Sequence, residues 1–279
     1  MISKSAVEPL SQSGDIRYQL LGVAGVDLGC GFRRLPGRRQ NVLFAVLALV
    51  PGVPVSVDRL VELVWRAQPH PRDPAAALQS QVSRLRRSVG GAGALAHQES
   101  SYVLTCSPED VDVHRYERLV AQARTMLAEG APRDAVACSD AASRLWRGDP
   151  FAELSDLPSI RDETFRLGEL RLDECSIRAQ ARIELGQHAA AISDLRRLTV
   201  GHPGREDFWA LLALALYRAD RTSDALDAVR SARQALSDDL GLEPGPTIRR
   251  LEAEILSHSP NLAPAPQSIA RFRLRRNDI

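Results

Sequence analysis

Pro74-Ala75-Ala76-Ala77-Leu78-Gln79-Ser80-Gln81-Val82-Ser83-Arg84-Leu85-Arg86-Arg87 is the stretch that decides how this chain is read. Wound as a helix over residues 74–89, it brings Leu78, Val82, Leu85 and Val89 within about 60° of one another, an apolar stripe suited to burial. Ser80, Ser83, Arg84 and Arg87 fall on the opposite face. A helix of this size fits the major groove of DNA, where arginine pairs bidentately with guanine and short hydroxyls reach bases or phosphates. An ordinary surface helix with a solvated basic face has the same pattern, so the neighbouring residues decide.

Working outward, Ile16–Leu21 and Val26–Leu28 read as two short strands separated by Gly22 and Gly25. Val42–Val50 reads as a buried helix stopped by Pro51-Gly52, far shorter than the roughly 20 apolar residues a membrane span requires. Ser56–Trp65 opens on polar residues and places Leu60, Val61, Val64 and Trp65 on one side, a second helix. After the 74–89 helix, the glycines at 90, 91 and 93 lead into a hairpin over 94–106 whose return strand is Tyr102–Thr105. Strands, three helices and a terminal hairpin make a winged helix-turn-helix.

These residues resemble the Streptomyces antibiotic regulatory protein family of transcriptional activators, in which an OmpR-type winged helix precedes a bacterial transcriptional activator domain. The resemblance rests on seven segments in order: 55–61 with Val64-Trp65, 77–79 with 82–87, 102–104, 110–120, 145–151, 215–219 and 241–246. Two departures stand out. The family often has arginine and asparagine early in the recognition helix, where this chain has Ala76 and Ala77, with Ala76 on the outward face. The family's glycine before the hairpin tyrosine is Ser101 here, and the hairpin tip, His97-Gln98-Glu99-Ser100, offers an acid and no arginine to a minor groove. Both departures imply weaker or more relaxed DNA binding than is usual in the family.

The net charge of +1 conceals an asymmetry: +5 over residues 1–105, −7 over 106–260 and +3 over 261–279. A basic front followed by an acidic middle suits a first domain that meets phosphate and a second that meets something else. Lys4 is the one lysine, so nearly all positive charge is arginine. That scarcity excludes a P-loop, which needs a lysine beside its glycines. Cys30, Cys106, Cys138 and Cys175 have no C-x-x-C spacing, and H-E-x-x-H and G-x-S-x-G are absent, so neither metal, cofactor nor catalytic nucleophile is expected. Isolated cysteines without a signal peptide suit a reduced, cytoplasmic protein.

From Val111 onward no strand is expected, and helices are read at about 111–129, 133–147, 160–185, 188–200, 205–218, 222–239 and 245–258. Leu185, Gly186, Ala191 and Ile192 recur as Ala219, Asp220, Ala225 and Leu226, a spacing of 34 residues, which is the tetratricopeptide period. Gly130 with Ala135 keeps the same internal offset. The expected fold is therefore mainly α: an α+β winged helix over 15–106, then an all-α tetratricopeptide-like repeat domain over 107–260. A flexible 1–14 and a flexible basic 261–279 flank them.

The family resemblance implies a mechanism: binding of direct repeats near the −35 region of promoters in antibiotic gene clusters, two copies side by side, with recruitment of RNA polymerase through its sigma factor and other subunits. Direct repeats call for head-to-tail contacts between copies. The residues placed for double-stranded promoter DNA are Arg84, Arg87, Ser80 and Ser83, flanked by Gln79 and Arg86, with Arg72 set to touch phosphate. Arg38 and Arg39 are candidates for backbone or polymerase contact. About 14 residues precede the first strand, so no phosphorylated receiver domain is expected there. Two rival readings remain: an adaptor whose winged helix docks proteins instead of DNA, and a sensor holding a small molecule around Phe208, Trp209 and Tyr217.

Overall fold

The computed structural model describes residues 17–29, 31–66, 69–154 and 156–263; the expectations for residues 1–14 and 264–279 lie outside them, while of 261–263, expected to be flexible, the first two belong to a 3-10 turn (Pro260–Leu262) that buries Leu262. Strands β1 (Tyr18–Gln19), β2 (Gly25–Asp27) and β3 (Phe32–Arg34) form an antiparallel sheet in that order. Sequence reading missed β3 because all three of its residues are exposed and show no alternation. Its Phe32 ring lies where a Cβ at Gly25 would go, which is why position 25 holds glycine.

Next come α1 (Arg38–Ala48), β4 (Val55–Ser56), α2 (Val57–Trp65), α3 (Pro74–Val89), β5 (Leu95–Gln98) and β6 (Ser101–Leu104), with a second sheet ordered β4-β6-β5. Helix α1 starts four residues before the expected Val42, since the polar Gln40 and Asn41 are buried in its first turns. Helix α2 is capped by Ser56, whose hydroxyl accepts the Arg59 N–H. Phe44, Leu47, Leu60, Trp65, Leu78 and Leu85 fill the core beneath these helices.

The described residues gather into two compact units, those up to 121 with 141–171, and 122–140 with those from 172 onward. That division falls away from the 106/107 boundary read from the sequence. In the first unit, Asp112 opens α4 (Asp112–Ala128) with a fully buried side chain that accepts the N–H groups of Leu20, at 2.8 and 3.0 Å, and Leu21, at 3.0 Å. Arg147 pairs with the same carboxylate, and its own N–H donates to the Leu21 carbonyl at 2.8 Å. Helix α5 (Pro132–Ser143) thus ends four residues short of the expected 147, because residues 144–148 turn back to meet β1's exit.

His114, also on α4, has Nε2 3.2 Å from the Ala48 carbonyl and Nδ1 3.4 Å from Glu117. The Glu117 hydrogen bond raises the imidazole pKa from its ordinary 6.5. A raised folded-state value means this contribution to stability is complete below about pH 6.5 and is lost as pH climbs through the raised value. Urea unfolding at pH 6 and pH 8 should therefore separate the wild type more than His114→Gln; equal separations would sink the assignment.

In the second unit, residues 172–184 of α6 (Pro158–Glu184) pack with α7 (His188–Gly201), α8 (Glu206–Arg218), α9 (Thr222–Leu240) and α10 (Pro246–Leu256) around Ile183, Leu195, Phe208, Leu212 and Val229. The 34-residue repeat is structural. Gly130, Gly186 and Asp220 end their helices at φ of 75°, 74° and 59°, and five residues on Ala135, Ala191 and Ala225 are each fully buried. Alanine lets neighbouring helices approach at the same point in each pair. Among the described residues, no helix is long and apolar enough to cross a membrane.

Candidate nucleic-acid interface

Helix α3 has clear start and stop signals: Asp73 accepts the Ala76 N–H at 3.0 Å, Pro74 opens the first turn, and Gly90 closes the helix at φ 104°. Its bounds are those expected, and Leu78, Val82, Leu85 and Val89 are all buried as the wheel requires. Two long-range bonds fix its C-terminal half. The Tyr18 hydroxyl donates to the Val89 carbonyl at 3.0 Å, and Arg86 Nε donates to the Leu95 carbonyl at 2.9 Å. Burial pushes the Tyr18 pKa up to about 12, so the phenol keeps the proton it donates.

The exposed face carries Gln79, Ser80, Ser83, Arg84 and Arg87, with exposed Arg72 just before the helix. Arg72, Arg84 and Arg87 enter no ion pair or hydrogen bond among the described residues, whereas Arg17, Arg34, Arg59, Arg66 and many others are paired with carboxylates. A free guanidinium keeps its donors available to phosphate or guanine.

Arg86 differs from its neighbours: it is half-buried and spends its Nε on the wing's first strand, so its first role is to hold the hairpin against α3. Arg38 is held by the Glu153 carbonyl at 2.9 Å and the Asp156 carboxylate at 2.7 Å. Arg39 lays its guanidinium over the Trp65 ring at 5.4 Å. Of the three aromatics read as a small-molecule pocket, Phe208 is fully buried, Trp209 Nε1 donates to the Pro203 carbonyl at 2.9 Å, and Tyr217 is half-buried.

The wing is the β5–β6 hairpin, registered by Leu95↔Leu104 through Gln98↔Ser101, with His97 and Tyr102 rings 4.8 Å apart across it. Glu99 sits at its tip at φ 51°. A carboxylate there opposes phosphate, so Glu99→Arg is expected to raise affinity for duplex DNA about fivefold at low salt, an effect that shrinks as salt rises. Unchanged affinity in a gel-shift titration would show that the tip stays clear of the duplex. Sequence reading passed over Gln40, Gln81 and Ser88, which border Arg84 on one concave surface. Nothing in the local pattern could have flagged Gln40, whose position depends on how α1 meets α3.

Together these features define the class: a winged helix-turn-helix followed in the chain by helical repeats. A family profile described as "Bacterial transcriptional activator domain" matches residues 111–256. Regulatory protein DnrI of Streptomyces peucetius is 32% identical over 249 residues, 84% of this chain and 91% of the relative. Transcriptional regulator RedD of Streptomyces coelicolor is 33% identical over 256 residues, 89% of this chain and 73% of the relative. Transcriptional regulatory protein EmbR of Mycobacterium tuberculosis is 35% identical over 227 residues, 80% of this chain but 58% of the relative, so the chain spans little more than half of EmbR's length. The solved structure of EmbR with a low affinity phosphopeptide superposes with a TM-score of 0.79 at 33% identity, covering 88% of this chain and 65% of that one. The chain belongs to the Streptomyces antibiotic regulatory protein family of transcriptional activators.

Proposed function

We propose that this protein is a sequence-specific DNA-binding activator of a secondary-metabolite gene cluster, seated on direct repeats near the −35 region. Helix α3 enters the major groove; Arg84 and Arg87 contact bases or phosphates, Ser80 and Ser83 sit beside them, and Gln79 and Arg72 lie at the margins. Two copies bind side by side, and the helical repeats meet RNA polymerase, including its sigma factor. The protein acts in the cytoplasm at the nucleoid, without cofactor, metal or catalytic step. The division of labour follows the sequence boundaries, with DNA contact in 15–106 and polymerase contact in 107–260.

One observation carries the reading: two exposed arginines, unpaired among the described residues, lie on the face of α3 opposite its buried stripe. In-vitro selection from random and genomic DNA tests it. Enrichment of a short direct repeat by the wild type is the expected result. Ala76 and the acidic wing tip favour a second reading, an adaptor that docks proteins through the same domain. The adaptor would retain no DNA even at low salt, and the selection would return no common sequence.

A further inference from the structure

We infer that the hollow between residues 172–184 of α6, α8 and α10 is a docking groove for this chain's own basic tail, with residues 269–276 as its occupant. The groove has a volume of about 540 Å³ and lies wholly within the second compact unit. Its floor is apolar, made by Ile183 from α6, Leu211 and Leu214 from α8, and Leu251 from α10. Leu211 and Leu214 are only half-buried, so they leave apolar surface for a further chain to cover. The carboxylates of Glu184 and Glu254 border the same hollow.

One end of the groove already holds peptide from this chain. After α10, the turn at Pro260–Leu262 brings the backbone back against α8: Leu262 is 5% exposed and belongs to the repeat core. Arg218, the last residue of α8, donates through Nε to the Leu262 carbonyl at 2.9 Å and through Nη2 to the Ala263 carbonyl at 3.5 Å. Asn261 and Leu262 are themselves part of the lining, so residue 264 begins beside the groove. Arg250 borders it too, and its guanidinium can take the carbonyls of a further stretch as Arg218 takes these.

The tail has the chemistry this groove lacks. Stretched out, Ile269–Arg276 places Ala270, Phe272 and Leu274 on one side and Arg271, Arg273 and Arg275 on the other. The apolar side matches the leucine floor, and the basic side matches Glu184 and Glu254. The steps from Ala263 to Ile269 pass through Pro264 and Pro266 and cover about 19 Å at about 3.1 Å each. That is the distance from α10 across α8 to α6, two helix spacings of about 8–10 Å. A tethered segment acts at about millimolar effective concentration, so modest affinity is enough to keep it docked. While docked, the tail closes the groove to other chains and withholds its arginines from phosphate.

Trypsin cuts after arginine, so the tail's own arginines report whether it is docked. In the full chain under native conditions, cleavage after Arg271, Arg273, Arg275 and Arg276 is expected to run about tenfold slower than in a synthetic peptide of residues 264–279, because cutting follows the undocked fraction. Phe272→Ser with Leu274→Ser changes only the tail, and should bring cleavage up to the rate of the matching free peptide. A wild-type tail cut as fast as the free peptide overturns the docking. Replacing Phe272 by the photo-reactive p-benzoylphenylalanine in the full chain then locates the occupant. Irradiation should link position 272 to residues 172–184, 206–218 or 246–256 of the same chain. Links confined to other segments, links found only between two copies, or no link at all overturn the assignment to this groove. Neither measurement involves DNA, so failure here leaves the reading of α3 untouched.

Discussion

Replacing Arg84 and Arg87 together with alanine is expected to weaken binding to the selected repeat about a hundredfold at moderate salt and to leave the melting temperature in place. Each arginine is exposed and bound to nothing among the described residues, so its removal costs the folded state no contact. On DNA, a bidentate arginine contributes about 1–3 kcal/mol of discrimination, and two of them account for the hundredfold. Arg86→Ala is the instructive control. It removes the bond to the Leu95 carbonyl that ties β5 to α3, so it should lower the melting temperature as well as the affinity. A double variant that binds the repeat like the wild type would show that α3 does not read DNA and would move the adaptor reading forward.

Why Arg84 and Arg87 could be found on a helical wheel, and Arg86 could not be judged there, is a matter of range. Helix α3 is specified locally: Asp73, Pro74 and Gly90 mark its ends, and the 3.6-residue period of Leu78, Val82, Leu85 and Val89 marks its buried side. Whatever faces away from that stripe is exposed, and local spacing says so. Arg86 lies on the flank, where its fate depends on a carbonyl nine residues ahead on another element. Arg38 and Arg39 are similar, for their partners Asp156 and Trp65 are brought near only by the fold. The same limit applies to backbone elements. The 34-residue repeat was legible because a left-handed helix end followed five residues later by a buried alanine occurs at Gly186 with Ala191 and again 34 residues on at Asp220 with Ala225, while Gly130 with Ala135 keeps the five-residue offset alone. Strands β3 and β4, of three and two residues, carry no period long enough to detect. Helix α5 was overread to 147 because the residues after Ser143 keep helical composition, while Arg147 answers to Leu21 and Asp112.

Asp112→Ala is expected to be the most damaging single change to the first compact unit, destabilising it by about 3–4 kcal/mol. The carboxylate is fully buried and satisfies two backbone N–H groups at the exit of β1, more than ninety residues away in sequence, and it faces Arg147. Burial pushes its pKa up, opposed by the Leu21 N–H, by Arg147 and by the Leu20 N–H. Alanine would leave those two N–H groups unpaired, at about 1–3 kcal/mol each, and would strip Arg147 of its partner. Asp112→Asn keeps an acceptor in the same place and should cost about half as much. Removing Arg147 instead should cost about 2 kcal/mol, below the usual figure for a broken buried pair, because its side chain is 37% exposed and water screens what remains. The effect should reach α3. Leu20 follows directly on β1, whose Tyr18 donates to the last carbonyl of α3, so loosening the strand releases α3's C-terminal turn. Urea unfolding followed by tryptophan fluorescence in a Trp209→Phe background reads the first unit through Trp65 and Trp146. An unchanged midpoint in Asp112→Ala would mean that Leu20 and Leu21 find other acceptors, and that α4 is not what holds β1 in place.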